Sequence, residues 1–227
     1  MKSIVIFGAG GRAGRAVTAE ARDRGHHVTA VLRDPGRHRD IEAAGVSVVR
    51  GDVTDARAIG AVVRGHDAAV HAVTPFNGPE QGFAGLDPQF FVKAADALLH
   101  GLTAAGVPRL LLIGLFANLT DAHGRPLMDD PSVFPPEIRP FAAAHTAGLE
   151  RLRERDTVID WLMLTPPALL DQAGPRTGRY RIGGETAPPA SAHLSYADLA
   201  VAVVDEIETP RHHGTRVSVF NRAVTDS

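Results

Sequence analysis

Ile4-Val-Ile-Phe-Gly-Ala-Gly-Gly-Arg-Ala-Gly-Arg-Ala-Val17 is the stretch of sequence from which the fold follows. The apolar run from Ile4 to Phe7 is typical of a strand that is buried on both faces. Ala13, Val17 and Ala21 then recur every four residues, as they would on one face of a helix. Several glycines separate the two patterns. A strand, a glycine-rich turn and a helix in this order predict a dinucleotide-binding site.

Glycine suits such a turn for two physical reasons. It adopts positive φ without strain, and it lets the backbone approach a diphosphate with no Cβ in the way. The start of the helix then offers unpaired N–H groups and the positive end of its dipole to the anion. A plain strand–helix turn with spare glycines is the alternative interpretation. We predict diphosphate contacts from Gly8, Gly10, Gly11, Arg12, Ala13 and Gly14.

Length and composition limit the class of protein. The 227 residues suffice for one sizeable core. A net charge of −2 gives no basic surface of the kind that binds nucleic acid. The chain has no cysteine, which removes disulfides and zinc–thiolate sites, and no run of membrane-spanning length. We therefore expect a cytoplasmic protein with no metal site and no membrane or nucleic-acid partner.

Strand-like and helix-like stretches alternate along the whole chain. Further strand patterns occupy 27–32, 46–49, 67–73, 109–113, 160–165 and 217–220, and helical patterns occupy 37–44, 56–64, 89–105, 138–152 and 195–207. Short connections between such elements favour right-handed βαβ units. We predict a single Rossmann-type α/β domain over residues 1–227, doubly wound, with a mostly parallel sheet of about seven strands and helices on both faces. A small substrate-side region is expected at about 166–195.

The segment 74–88 breaks this alternation, because proline and glycine recur through it. It leaves the carboxyl end of the fourth strand pattern, on the side where open α/β sheets bind ligands. It also carries Phe76 and Phe83. The segment is either a lid or substrate wall, or an ordinary surface connection.

The end of the second strand pattern discriminates between the two nicotinamide cofactors. NAD sites usually place an acid there for the ribose 2′-hydroxyl, whereas a basic residue suits a 2′-phosphate. Arg33 ends this strand and Arg37 follows four residues later. Arginine can bind phosphate through two parallel hydrogen bonds. We therefore expect NADP(H) rather than NAD(H), although Arg33 could also be an ordinary surface charge.

Motifs spread over nearly the whole chain resemble those of the atypical short-chain dehydrogenase/reductase (SDR) superfamily. The group is the NAD(P)H-binding, NmrA-like family, which includes flavin reductase (biliverdin reductase B-like) and quinone reductase-like proteins. The shared pieces are Gly8-x-x-Gly11-x-x-Gly14, Val31-Leu-Arg33-Asp-Pro, Gly51-Asp52-Val53, Arg109-Leu-Leu-Leu-Ile113, Asp160-Trp161-x-x-x-Thr165-Pro166-Pro167, Gly178-x-Tyr180-x-x-Gly183 and Ser195-Tyr196-x-Asp198-x-Ala200.

The resemblance implies further cofactor contacts. In this superfamily an acid equivalent to Asp52 meets the adenine amino group, and the next residue, Val53, covers the ring. Small residues equivalent to Ala72, Val73 and Thr74 line the adenosine and phosphate side. Independently of the resemblance, Pro166 follows the sixth strand pattern, and from this position we expect it to border a flat apolar substrate pocket above the nicotinamide. The ordinary alternatives are a turn or helix cap for Asp52 and simple packing for Pro166.

The catalytic residues of most SDR enzymes are missing. Those enzymes use a serine after the fifth strand and a Tyr-x-x-x-Lys pair on the next helix, whereas this chain has Gly114-Leu115 and Phe141-Ala-Ala-Ala-His145. Phenylalanine has no exchangeable proton, so these groups do not support the alcohol oxidation of ordinary SDR enzymes. His145 is the best remaining proton donor, with a core histidine as the alternative.

These observations favour an NADPH-dependent oxidoreductase that transfers hydride to a flavin, a quinone or a similar conjugated, aromatic or quinonoid small molecule. Hydride transfer to such a ring needs mainly stacking on the nicotinamide, and water can supply protons. The alternative is a non-catalytic NADP(H)-binding sensor or regulatory protein of the NmrA type. A sugar-nucleotide or isoprenoid-modifying enzyme ranks last. A homodimer is compatible with the sequence.

Overall fold

The computed structural model describes residues 1–75 and 85–221, and its centre is a sheet of eight strands. Their order across the sheet is β3-β2-β1-β4-β5-β6-β10-β8, and all neighbours are parallel except β8, which pairs antiparallel with β10. The strands are β1 (Ser3–Phe7), β2 (His27–Leu32), β3 (Val46–Arg50), β4 (Ala68–His71), β5 (Arg109–Ile113), β6 (Asp160–Thr165), β8 (Arg181–Ile182) and β10 (Thr215–Phe220). The predicted doubly wound α/β fold is confirmed.

Five α-helices cover the two faces of this sheet in the described part of the chain. They are α1 (Arg12–Asp23), α2 (Ala56–Val62), α3 (Phe90–Ala105), α4 (Arg139–Glu154) and α5 (Tyr196–Glu208). Helices α1 and α5 pack together on one face, and α2, α3 and α4 pack in sequence on the other. Each face has its own buried apolar cluster, so the sheet is apolar on both sides. This explains the unbroken apolar runs of β1 and β5.

The structure corrects two details of the predicted element list. The main sheet has eight strands rather than about seven, and β7 (Leu169–Asp171) and β9 (His193–Ser195) form a separate parallel pair. Residues 37–44 do not form the expected helix. Two 3-10 turns replace it, Pro35–Arg37 and Arg39–Ile41, because His38, with φ −136° and ψ 38°, lies outside the helical region and interrupts the helical path.

The strand order reverses direction at β1, which pairs with β2 on one side and with β4 on the other. A crevice forms at the carboxyl ends of the strands at such a point, and ligands of open α/β sheets bind there. The glycine turn after β1 and residues 72–74 after β4 both leave the sheet at this edge. The topology therefore brings together two segments that the sequence predicted for one site.

The start of α5 shows how the late loops are attached. Ser195 Oγ accepts a hydrogen bond from the Asp198 N–H at 3.0 Å, so Ser195 caps the helix. The Asp198 carboxylate accepts hydrogen bonds from the N–H groups of Thr177 and Gly178, both at 2.8 Å. The helix cap thus also fixes the segment that leads to β8.

Some predictions fall outside the described residues. Phe76 and Phe83 are not among the described residues, so the lid or substrate wall over 74–88 stays a prediction.

Among residues 1–75 and 85–221, no helix has the length and apolar character needed to cross a bilayer.

Candidate functional site

The first glycine of the turn adopts a conformation that few other residues tolerate. Gly8 has φ +84° and donates its N–H to the Val31 carbonyl at 3.2 Å. A Cβ on Gly8 would lie 2.6 Å from the Ala72 carbonyl oxygen, so the end of β4 packs directly on this glycine. Both the dihedral angle and the contact require glycine at this position.

Helix α1 begins immediately after the turn and approaches it closely. Gly11 is the N-cap, and neither a capping side chain nor an acidic residue of the first turn occupies the helix start. A Cβ on Gly14 would lie 2.1 Å from the Gly8 carbonyl oxygen, which shows how tightly the helix contacts the turn. The free N–H groups and the positive helix dipole at this end can bind a diphosphate.

A group of side chains that the sequence analysis missed lies beside the turn. Arg15 donates from Nε to the Gly10 carbonyl at 3.0 Å and forms an ion pair with Asp40 at 2.5 Å. The His38 ring covers Gly10 so closely that a Cβ there would lie 2.7 Å from its Nε2. The Arg15 guanidinium also lowers the pKa of Asp40 below its usual value. The glycine at position 10 is the one feature of the sequence that could have indicated the close approach of the His38 ring.

Three other arginines of the predicted site are exposed. Arg12 begins α1, Arg33 follows β2, and Arg37 lies 3.8 Å from the Asp34 carboxylate with 80% of its side chain exposed. Within the described residues, Arg12 and Arg33 form no ion pair with a carboxylate. Their guanidinium groups are therefore available to a phosphate, and all three arginines are on segments at the cofactor edge of the sheet.

The predicted adenine-side residues divide into exposed and buried ones. Asp52 Oδ1 accepts hydrogen bonds from the N–H and hydroxyl of Thr54 at 2.8 and 2.7 Å, which is the turn role that the sequence left open. Val53 is only 4% exposed and packs in the core with Phe7 and Val31. Ala72 and Val73 are half-buried and Thr74 is exposed.

His145 lies inside the protein, on the face of α4 that packs against the sheet. It is 7% exposed, and its ring centroid is 4.6 Å from that of Phe91. Burial lowers its pKa to about 4, and a hydrogen bond to the Ile113 backbone opposes this effect only in part. The imidazole is therefore neutral at pH 7, and Phe141, one turn earlier, is also buried.

This burial predicts a pH dependence of stability. The folded state keeps His145 neutral while the unfolded chain takes up a proton near pH 6.5, so its stabilising contribution is complete above pH 6.5 and is lost as the pH falls toward 4. We expect His145 to account for a loss of about 2 kcal/mol in unfolding free energy between pH 7 and pH 5. Urea unfolding at several pH values measures it. His145→Gln should flatten the dependence and the exposed control His123→Gln should not; equal slopes for all three proteins would contradict the assignment.

The nicotinamide side of the crevice contains small and apolar residues. Pro166 and Pro167 are buried directly after β6. Thr165, the last residue of β6, is fully buried, and its Oγ1 would be 2.1 Å from a Cβ on Gly114. The end of β5 therefore has no space for a serine side chain in this arrangement.

The strand order, the glycine turn and the open helix start together define a dinucleotide-binding Rossmann domain. The chain belongs to the NAD(P)H-binding family, whose profile matches residues 8–210. This agrees with the resemblance to atypical SDR proteins and assigns the ligand class as a nicotinamide dinucleotide.

Individual relatives cover almost the whole chain. YwnB, an uncharacterized protein of Bacillus subtilis strain 168, is 35% identical over 97% of this chain and 99% of its own length. The structure of a proposed epimerase from Bacteroides thetaiotaomicron is 33% identical, with a TM-score of 0.82 and 97% of each chain covered. The structure of a proposed NADH-flavin reductase from Streptococcus pneumoniae TIGR4 is 26% identical, with a TM-score of 0.82, and the match covers 98% of this chain and 100% of that one.

Proposed function

We propose that the protein is an NADPH-dependent oxidoreductase that transfers hydride to a flavin, a quinone or a similar conjugated ring. One observation carries the proposal: α4 has Phe141 and a buried, neutral His145 at the spacing where most SDR enzymes have their tyrosine and lysine, in a chain with the glycine turn of a dinucleotide site. The site can hold a hydride donor, but Phe141 has no exchangeable proton and a neutral His145 is a weak acid for reduction of an isolated carbonyl.

A conjugated acceptor fits these residues because its ring can delocalise the electrons that arrive with the hydride. The bound nicotinamide would supply the hydride, and the chain would hold the acceptor flat against it. His145 remains our candidate proton donor. A neutral imidazole is a weak acid, so we expect water to supply most of the protons. The Streptococcus pneumoniae relative is described as an NADH-flavin reductase, and this description supports a flavin acceptor.

The test is oxidation of NADPH, followed at 340 nm, with FMN, FAD and simple quinones as acceptors. We expect turnover with at least one of them, and much slower turnover at the same NADPH concentration in Gly14→Ala, whose glycine turn is disturbed. Cofactor binding is measured in parallel by calorimetry. Tight NADPH binding with no turnover on any acceptor would reject the proposed reaction while leaving the cofactor site intact.

The cofactor preference gives a separate prediction. Arg33 follows β2, is exposed and has no carboxylate partner in the described residues, so we propose that it binds the 2′-phosphate. Arg33→Ala should weaken NADPH binding by roughly 10-fold or more, since charge-assisted hydrogen bonds contribute about 1.5–3 kcal/mol, and should leave NADH binding nearly unchanged. Arg64→Ala, an exposed arginine before β4, is the control. An unaltered ratio of the two affinities in Arg33→Ala would exclude this role.

The second candidate is a non-catalytic sensor of NADP(H) that controls a protein partner. His145 stands where most SDR enzymes have the lysine of the Tyr-x-x-x-Lys pair, and its burial favours this second candidate. A sensor of this type would bind oxidised and reduced cofactor without turnover, and it would retain a partner in a pull-down.

Four further expectations stay predictions: the single domain over 1–227, the substrate-side region at about 166–195, the cytoplasmic location and the homodimer.

A further inference from the structure

Two buried histidines have nitrogen atoms without a hydrogen-bond partner. His71 ends β4 and is 6% exposed, and His145 on α4 is 7% exposed. In the described part of the chain, neither Nδ1 atom has a protein partner. Most buried polar side-chain atoms in proteins are hydrogen-bonded, and the exceptions often contact an internal water molecule.

The two histidines line the same small cavity. Its other walls include Phe91, Leu112 and Met163, which are apolar. The centre of a water-sized sphere can move through about 10 Å³ in this cavity. A volume of this size corresponds to about one water molecule. Both histidines therefore border a space with room for one small polar molecule.

We propose that one ordered water molecule binds in this cavity and bridges His71 Nδ1 and His145 Nδ1. A neutral imidazole has one donor nitrogen and one acceptor nitrogen. Water can donate to one ring and accept from the other, or donate to both, so it satisfies several pairs of tautomers. The bridge joins the end of β4 to α4 and holds the His145 ring against Phe91.

The charges around the cavity favour a neutral occupant. No carboxylate lines the cavity, and the Arg216 guanidinium is close enough to lower the pKa of His145. Burial also lowers the pKa of His71 to about 3. A cation would add positive charge to an apolar space without a counterion, whereas water adds none.

The direct test uses the unaltered protein. A crystal structure at about 1.5 Å resolution should show one density peak within hydrogen-bond distance of both Nδ1 atoms. Metal analysis of the same sample should find less than one-tenth equivalent of any transition metal. An empty cavity, or a bound metal with an anomalous signal at this position, would overturn the proposal.

A double-mutant cycle gives an independent test in solution. His71→Phe and His145→Phe should each lower Tm by about 3–8 °C, because each leaves one partner of the bridge unsatisfied. The Tm of the double variant should fall by clearly less than the sum of the two single losses, since this variant removes both polar groups and fills the cavity. Additive losses would contradict a shared water. The result is independent of whether the protein turns over any acceptor.

Discussion

Replacing Gly14 by alanine is expected to weaken NADPH binding by on the order of 100-fold and to destabilise the fold by about 1–3 kcal/mol. The added Cβ would lie 2.1 Å from the Gly8 carbonyl oxygen and 2.8 Å from Ala9 Cα. Both atoms are backbone, so no side chain can move aside. The start of α1 must shift away from the turn, and the N–H groups that bind the diphosphate shift with it. Calorimetric titration with NADPH and urea unfolding measure the two effects.

Gly60 provides the matched control for this substitution. It is also a helical glycine, in α2, but a Cβ there would come no closer than 3.7 Å to its nearest neighbour, which is ordinary contact. Gly60→Ala should bind NADPH like the unaltered protein and should be equally stable or up to about 1 kcal/mol more stable, because alanine favours helix. Equal losses in both variants would show that the close approach of α1 to the turn does not matter for binding.

Arg109→Met is expected to lower the free energy of unfolding by about 3–5 kcal/mol. Arg109 begins β5 at the amino edge of the sheet, opposite the cofactor crevice, and its side chain is 6% exposed. Its guanidinium contacts the Asp160 carboxylate at 2.6 Å and the Glu206 carboxylate at 3.1 Å. Methionine would remove the guanidinium from the buried Glu206 carboxylate and leave it with the His212 ring and two backbone N–H groups as partners, and this lost charge compensation destabilises the fold.

The control for this variant is an ion pair of similar length at the surface. Arg22 contacts Asp23 at 2.7 Å, but the two side chains are 41% and 63% exposed. Arg22→Met should cost less than about 1 kcal/mol, because water screens exposed pairs. Chemical denaturation of both variants at pH 7 makes the comparison. The affinity of Arg109→Met for NADPH, measured under conditions in which the variant is folded, should equal that of the unaltered protein. A large loss of affinity would place Arg109 in the cofactor site instead.

Local patterns in the sequence predicted most of the fold. The apolar runs of β1 and β5, the glycine turn and the helical pattern that begins at residue 195 depend on neighbours a few residues apart, and periodicity and spacing reveal such features directly. The same kind of signal failed at residues 37–44, where His38 adopts a non-helical conformation and packs on Gly10, 28 positions away along the chain.

The sequence by itself determined the class of fold, the glycine turn and the absence of the usual SDR catalytic pair, because these depend on residue identity and short spacing. Only the tertiary structure decided which side chains are buried. It placed Val53 in the core and made His145 neutral by enclosing it beside Phe91. It also brought Arg15 and His38 to the turn, and His71 to His145. Burial and long-range contacts set pKa values and polar partners, and no local pattern encodes them.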